Sequence, residues 1–169
     1  DGGITPRSGY KLLGTLHDPS GLFQGATMYQ PSSANPYLIV CISGHVYKLV
    51  VSPSFSVTDL SAAFNLFMPA TQTHFYFVQA EQFLVIQAGD NITLPLFWDG
   101  ATLRRSKGIT NTAVAPGTPG VNEIPAATSM DYYEGRLWYS TFRVANAGDI
   151  VRGNSGTVAY NFTDSVLNV

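Results

Sequence analysis

HFYFVQAEQFLVIQAGDNITLPLFWDGATLRR, residues 74–105, places strand-length apolar runs between turn residues four times in succession. His74–Gln79 reads as a first strand, Ala80–Gln82 as a tight connection and Phe83–Gln87 as a second strand. Ala88–Asn91 makes a turn and Leu94–Trp98 a third strand. Asp99-Gly100 is then a strong hairpin signal, leading into a fourth strand over Ala101–Arg105. Four antiparallel strands in about thirty residues have the size of one β-propeller blade.

Related text stands on either side. Tyr37–Val51 (YLIVCISGHVYKLVV) and Arg136–Thr141 (RLWYST) open as Phe83 does, with apolar, β-branched or aromatic runs. The three openings, Tyr37, Phe83 and Arg136, recur at roughly 50-residue spacing, which is the signature of propeller blades. In the first unit Ala26–Gln30 is a strand, PSSANP (31–36) a loop rich in turn formers, and Tyr37–Ser43 with Val46–Val51 a hairpin around Gly44-His45. Val57–Leu60 adds an outer strand, and SAAFNLFM (61–68) carries a helical turn before Pro69. Every residue of LIVCI (38–42) is apolar, so that strand is expected to be covered on both faces. In the third unit Ser129–Tyr133 and Arg136–Thr141 flank a Glu134-Gly135 turn. The text from 147 to 169 is loop-like, and either completes the third blade or leads away from it.

The expected fold class is therefore all-β: about three propeller-like antiparallel blades, over 25–61, 74–106 and 128–169, in an incomplete ring. They form one domain spanning 21–169, with a Pro/Gly-rich surface loop at 109–125. Residues 1–20 read as an irregular arm or linker with at most one short strand, around Tyr10–Leu13. Three blades are too few to close a ring alone. With no initiator Met and an ending, SVLNV, inside what reads as a strand, both ends read as cut.

Composition bounds the function. The 169 residues are 45% apolar, enough for one proper core, but only 12% charged, about half the usual share. A subunit buried in an assembly carries such a surface, and so does a sparsely charged β-domain. The net charge of −2 gives no global pull toward nucleic acid or anionic membrane. No stretch has transmembrane length, and nothing at the N-terminus reads as a signal peptide. Cys41 stands alone, which excludes an intramolecular disulfide and suits a small core hydrophobe. Asn91-Ile-Thr and Asn161-Phe-Thr match the glycosylation pattern, which carries meaning only in a secreted eukaryotic chain.

No catalytic set emerges. His17, His45 and His74 lie far apart without carboxylate or Cys partners at metal-ligand spacing. There is no GxSxG setting and no phosphate-binding glycine loop. Asp131 and Glu134, with Arg136 beside Tyr132 and Tyr133, are the clustered carboxylates, and they read more naturally as turn and edge residues. The Ser-x-Asp-x-Gly-x-Thr-Trp box of propeller sialidases is missing. Asp149, Asn154 and Asp164 offer oxygen ligands but fit no calcium-loop pattern, and Asx-turns account for them. The expectation is a non-enzyme without cofactor or metal. An interaction surface has two sources. Arg104, Arg105 and Lys107 form a basic cluster, either a solvated turn or a contact to an acidic chain. Trp98 and Trp138, with Tyr132, Tyr133 and Tyr139, either stack on sugar rings or pack between blades.

Read together, FVQAEQFLVIQ and LPLFWDGATLRRS (within 77–106), MDYYEGRLWYS (130–140) and AGDIVRGNSGT with YNFTDSVLNV (within 147–169) resemble a family of tailed-bacteriophage virion proteins and prophage relatives. In these, such blades belong to a longer structural polypeptide. The resemblance implies a structural component of the virion tail region, of nozzle, adaptor or tail-tube type. Its partners would be copies of itself and other virion proteins, with no cofactor, no membrane and no specific nucleic-acid binding. The alternative is a carbohydrate-binding, lectin-like propeller used in host attachment. A lectin should expose Trp98 or Trp138 beside a carboxylate or amide. A structural subunit should bury them, and an enzyme should bring two of Asp131, Glu134 and Asp149 into one cleft.

Overall fold

The structure, a computed structural model, describes residues 9, 12–16, 21–32, 34–108, 124–142 and 157–162. The chain is all-β, and the described residues form three antiparallel sheets of which none is closed. The first sheet holds β1 (Phe23–Tyr29), β2 (Tyr37–Ile42), β3 (His45–Val50) and β4 (Ser56–Asp59) in chain order. A short helix, α1 (Leu60–Phe64), follows directly. The second sheet runs β5 (Tyr76–Ala80), β6 (Phe83–Gln87), β7 (Leu96–Trp98) and β8 (Leu103–Arg105), again in chain order. The third holds β9 (Ser129–Tyr133), β10 (Arg136–Phe142) and β11 (Thr157–Phe162), with β10 in the middle.

Strand alternation sorts the side chains into cores. Tyr29, Tyr37, Ile39, Cys41 and Val46 of the first sheet pack on Leu84, Ile86, Leu96, Trp98 and Leu103 of the second, with Leu60, Met68 and Phe75 between. Residues of opposite parity on the second sheet, Ala80, Phe83, Val85 and Phe97, pack against Leu137 and Tyr139 of the third. The period of two in a strand makes this possible. The second sheet is thus held between the other two, and FLVIQ of β6 is buried at every residue. Between sheets, β1 also contacts β5, and β5 contacts β9.

LIVCI in β2 departs from its expectation of full cover. Ile39, Val40 and Cys41 are buried, but Leu38 and Ile42 on the outer face are only half-buried. The text from 147 onward is not all loop, because Thr157–Phe162 forms β11, paired in register from Leu137↔Phe162 to Phe142↔Thr157. Leu94–Trp98 contracts to Leu96–Trp98, since Pro95 has no N–H to give a ladder. The helical turn begins one residue early, at Leu60, because Asp59 caps it: its side chain accepts from the Ala62 N–H at 3.0 Å. Leu12 and Leu13 lie in no strand. Most of the 1–20 arm, the 109–123 stretch of the expected loop and the SVLNV ending lie outside the described residues.

Close backbone approaches fix how the first sheet meets the rest. Gly25, at φ 142, sits at a bulge in β1 where a Cβ would meet the Phe77 ring. Gly44, at φ 82 in the β2–β3 turn, lies against the Met68 carbonyl, where a Cβ would collide. Gln24 ties this region together from inside. Its Nε2 donates to Pro69 O at 2.8 Å and Gln72 O at 2.7 Å, and its Oε1 accepts from the Gly44 N–H at 2.6 Å. A buried amide is stable there because all of these groups find partners.

Candidate interaction surface

Trp98, the last residue of β7, is buried between the first and second sheets. Its indole N–H donates to the Tyr37 hydroxyl at 2.7 Å, and Phe64 of α1 meets its ring edge-on at 6.3 Å. Tyr29 stands edge-on to Tyr37 at 5.3 Å, and its hydroxyl donates to Gln82 O. Burial, with smaller contributions from Tyr37 and the Asp99 carboxylate, raises the Tyr29 pKa to about 12. Burial likewise raises that of Tyr37, against the opposing effect of the Trp98 hydrogen bond. Two tyrosines of the first sheet and a tryptophan of the second thus form one aromatic seam between sheets, joined by the Trp98–Tyr37 hydrogen bond.

The basic cluster separates in space. Arg105 reaches back to Phe67 O and Leu94 O, which fastens the 67–68 segment to the second sheet. Burial lowers its pKa from the ordinary guanidinium value. Arg104 points to the other face, with its guanidinium 4.5 Å from the Phe97 ring centroid, a cation–π placement. Lys107 is exposed beyond the end of β8. Arg104 also lines an open cavity of about 240 Å³ with Phe83, Phe97, Asp99 and Thr102. Asp99 Oδ1 in that cavity accepts from the Ala101 and Thr102 N–H groups. The carboxylate oxygen therefore serves the β7–β8 turn.

Trp138 faces the other way. It lies in the centre of β10, opposite Asp131 on β9 and Asn161 on β11, on the face of the third sheet turned from the second. Trp138, Asp131 and Tyr133 are all exposed there. Glu134 sits at φ 51 in the β9–β10 turn, three residues beyond Asp131 and off that face. Asp149, Asn154, Asp164 and His17 lie outside the described residues.

One polar pair escaped the sequence reading. His45, at the start of β3, shares a 2.8 Å contact between its Nδ1 and Asp59 Oδ2, while Asp59 Oδ1 caps α1. Asp before a helical run is a capping signal, but its histidine partner comes from strand register alone. His74 stacks edge-on with Tyr76. In the 88–95 loop the Thr93 hydroxyl and the Ile92 and Thr93 N–H groups converge on Asp90. Burial acts to raise the Asp90 pKa, and those hydrogen bonds outweigh it and hold the carboxyl below its usual value. Burial pushes the Cys41 thiol well above its ordinary value, so it stays protonated.

Among the described residues no three His, Cys, Asp or Glu side chains gather as metal ligands, and no helix is long and apolar enough to cross a membrane. The fold and its exposed face define a class: an all-β chain of stacked antiparallel sheets whose aromatic residues either seal sheet junctions or lie on an outer face. In comparisons with protein families, curated proteins and solved structures, nothing matches this chain.

Proposed function

We propose that this chain is a structural component of a bacteriophage virion, in the nozzle or adaptor region of the tail, and that it works by oligomeric assembly without catalysis. The stacking of the sheets carries the reading. Each sheet presents one apolar face to the next, and the first strands of successive sheets touch, β1 with β5 and β5 with β9. Propeller-like blades in an incomplete ring have this arrangement. A sheet in such a stack is stable when both faces are covered, as β6 is, so an open stack favours further sheets at its ends. The seam formed by Trp98, Tyr37 and Tyr29 places the largest aromatic of the second sheet in a junction. A ligand surface would need it exposed.

The test is location. Virions encoding the chain, decorated with an antibody against it and viewed by electron microscopy, should carry label at the tail. Particles free of label, with the chain confined to the host lysate, would remove the virion assignment.

A second reading, a carbohydrate-binding module for host attachment, is favoured by one observation: Trp138 is exposed and stands opposite Asp131 and Asn161 in register. An aromatic platform beside a carboxylate suits a pyranose ring. Binding to a glycan array that is lost with Trp138→Ala would favour this reading over assembly.

A further inference from the structure

The first hairpin of each sheet can be superposed through its closing pair: Tyr29↔Tyr37, Ala80↔Phe83 and Tyr133↔Arg136. From that anchor, Ile39, Val85 and Trp138 occupy the same position in the middle strand. In the first two sheets this position faces the next sheet in the stack, and Ile39 and Val85 are both 0% exposed. In the third it is Trp138, 37% exposed. The closing position behaves alike: Tyr29 and Ala80 are 0% exposed, whereas Tyr133 is 63% exposed. The outer face of the third sheet therefore continues a junction formed twice already within the chain, with its aromatic residues in place and, among the described residues, no sheet packed on it.

The complementary face lies at the other end of the same stack. In both internal junctions the covering sheet uses alternate residues of its middle strand, Leu84 and Ile86 in one, Leu137 and Tyr139 in the other. The equivalent residues of the first sheet are Leu38, Val40 and Ile42; Val40 and its cross-strand partner Tyr47 are already buried, whereas Leu38 and Ile42 are half-buried. Around them lie Leu49 and Val57, half-buried, and Met28, 56% exposed. One row of this face, Met28–Leu38–Leu49–Val57, is apolar across all four strands. This is the half-covered face that distinguishes LIVCI from the fully buried FLVIQ.

From this we infer that a second copy of the chain docks its Met28–Leu38–Ile42 face on the Trp138–Tyr133 face of the first, head to tail, repeating the internal sheet junction between subunits. The inference rests on the assembly reading and names its interface. Contacts of this kind are heterologous, so they close into rings or continue as open stacks according to the rotation per subunit.

The experiment is sedimentation velocity on the full chain and on two variants, Trp138→Arg at one end and Met28→Asp at the other. The unaltered chain should sediment as species larger than a single 18.2 kDa chain. Each variant alone should lose association and sediment as one chain, because each has lost one half of the junction. An equimolar mixture of the two should recover a two-chain species and nothing larger, since each contributes its intact end. That recovery also shows that both variants are folded. If Trp138→Arg alone abolishes association while Met28→Asp does not, the third sheet pairs with itself and the head-to-tail interface is wrong. Association untouched by either substitution overturns the interface and leaves the assembly reading standing. A chain that stays single at every concentration overturns both, and if chitotriose then quenches the Trp138 fluorescence the face belongs to a glycan.

Discussion

Trp98 is the residue on which the first junction turns. It fills the space between the first two sheets, and its N–H has the Tyr37 hydroxyl as partner. Trp98→Ala should destabilise the chain by about 4 kcal/mol, the usual loss for a large aromatic removed from a core. Tyr37→Phe keeps the ring but leaves the indole N–H unpaired, at a cost of about 1–2 kcal/mol. Urea titration followed by Trp fluorescence measures both, and a smaller loss for Trp98→Ala than for Tyr37→Phe would contradict the packing described. Tyr29 adds a pH dependence. Its pKa is about 12 folded against 10.0 for an ordinary tyrosine, so the unfolded chain loses this proton first. Its contribution is fully present below pH 10 and falls as pH rises toward 12. Urea midpoints across that window should therefore drop, and Tyr29→Phe should flatten the drop. A phenylalanine variant with an unchanged slope would assign the alkaline loss elsewhere.

At the scale of elements, the strands were legible where alternation and turn chemistry agreed. Phe83–Gln87 and Ser129–Tyr133 fall where the sequence places them, because Gly or polar turn residues flank runs too short for a helix. The missed boundaries have local causes. Pro95 shortens β7, and Asp59, read as part of a strand, ends β4 and also caps α1. Neither β11 nor the His45–Asp59 contact could be read, since GTVAYNF gains strand character only by pairing with β10 and the histidine reaches its partner only through the β3–β4 register. Asp59→Ala removes the cap and the histidine contact together. It should cost about 1 kcal/mol, read by thermal melting, and Asp59→Asn should recover most of it by restoring the cap. Equal losses for the two variants would place the weight on the charge contact instead.

At the scale of the whole molecule, the second sheet packs against both of the others and its β6 is buried at every residue, which makes it the most protected of the described parts. Amide hydrogen exchange should be slowest over Phe83–Gln87 and fastest along β4, whose Ser56 and Thr58 are exposed. Slower exchange in β4 than in β6 would mean that the stack is covered from the first-sheet end. The sequence by itself determined that this chain is β, where most strands and turns lie, and that three similar units follow one another. Those properties are local: side-chain alternation, turn formers and β-branched runs act within a few residues. Only the tertiary structure decided which face of each sheet meets which. Trp98 and Trp138 are alike as text, yet one is sealed against Tyr37 and the other lies open. The same holds for Arg105, whose carbonyl partner at Phe67 is distant in sequence. Burial depends on what a neighbouring sheet supplies, and strand periodicity gives two faces without saying which of them will be covered.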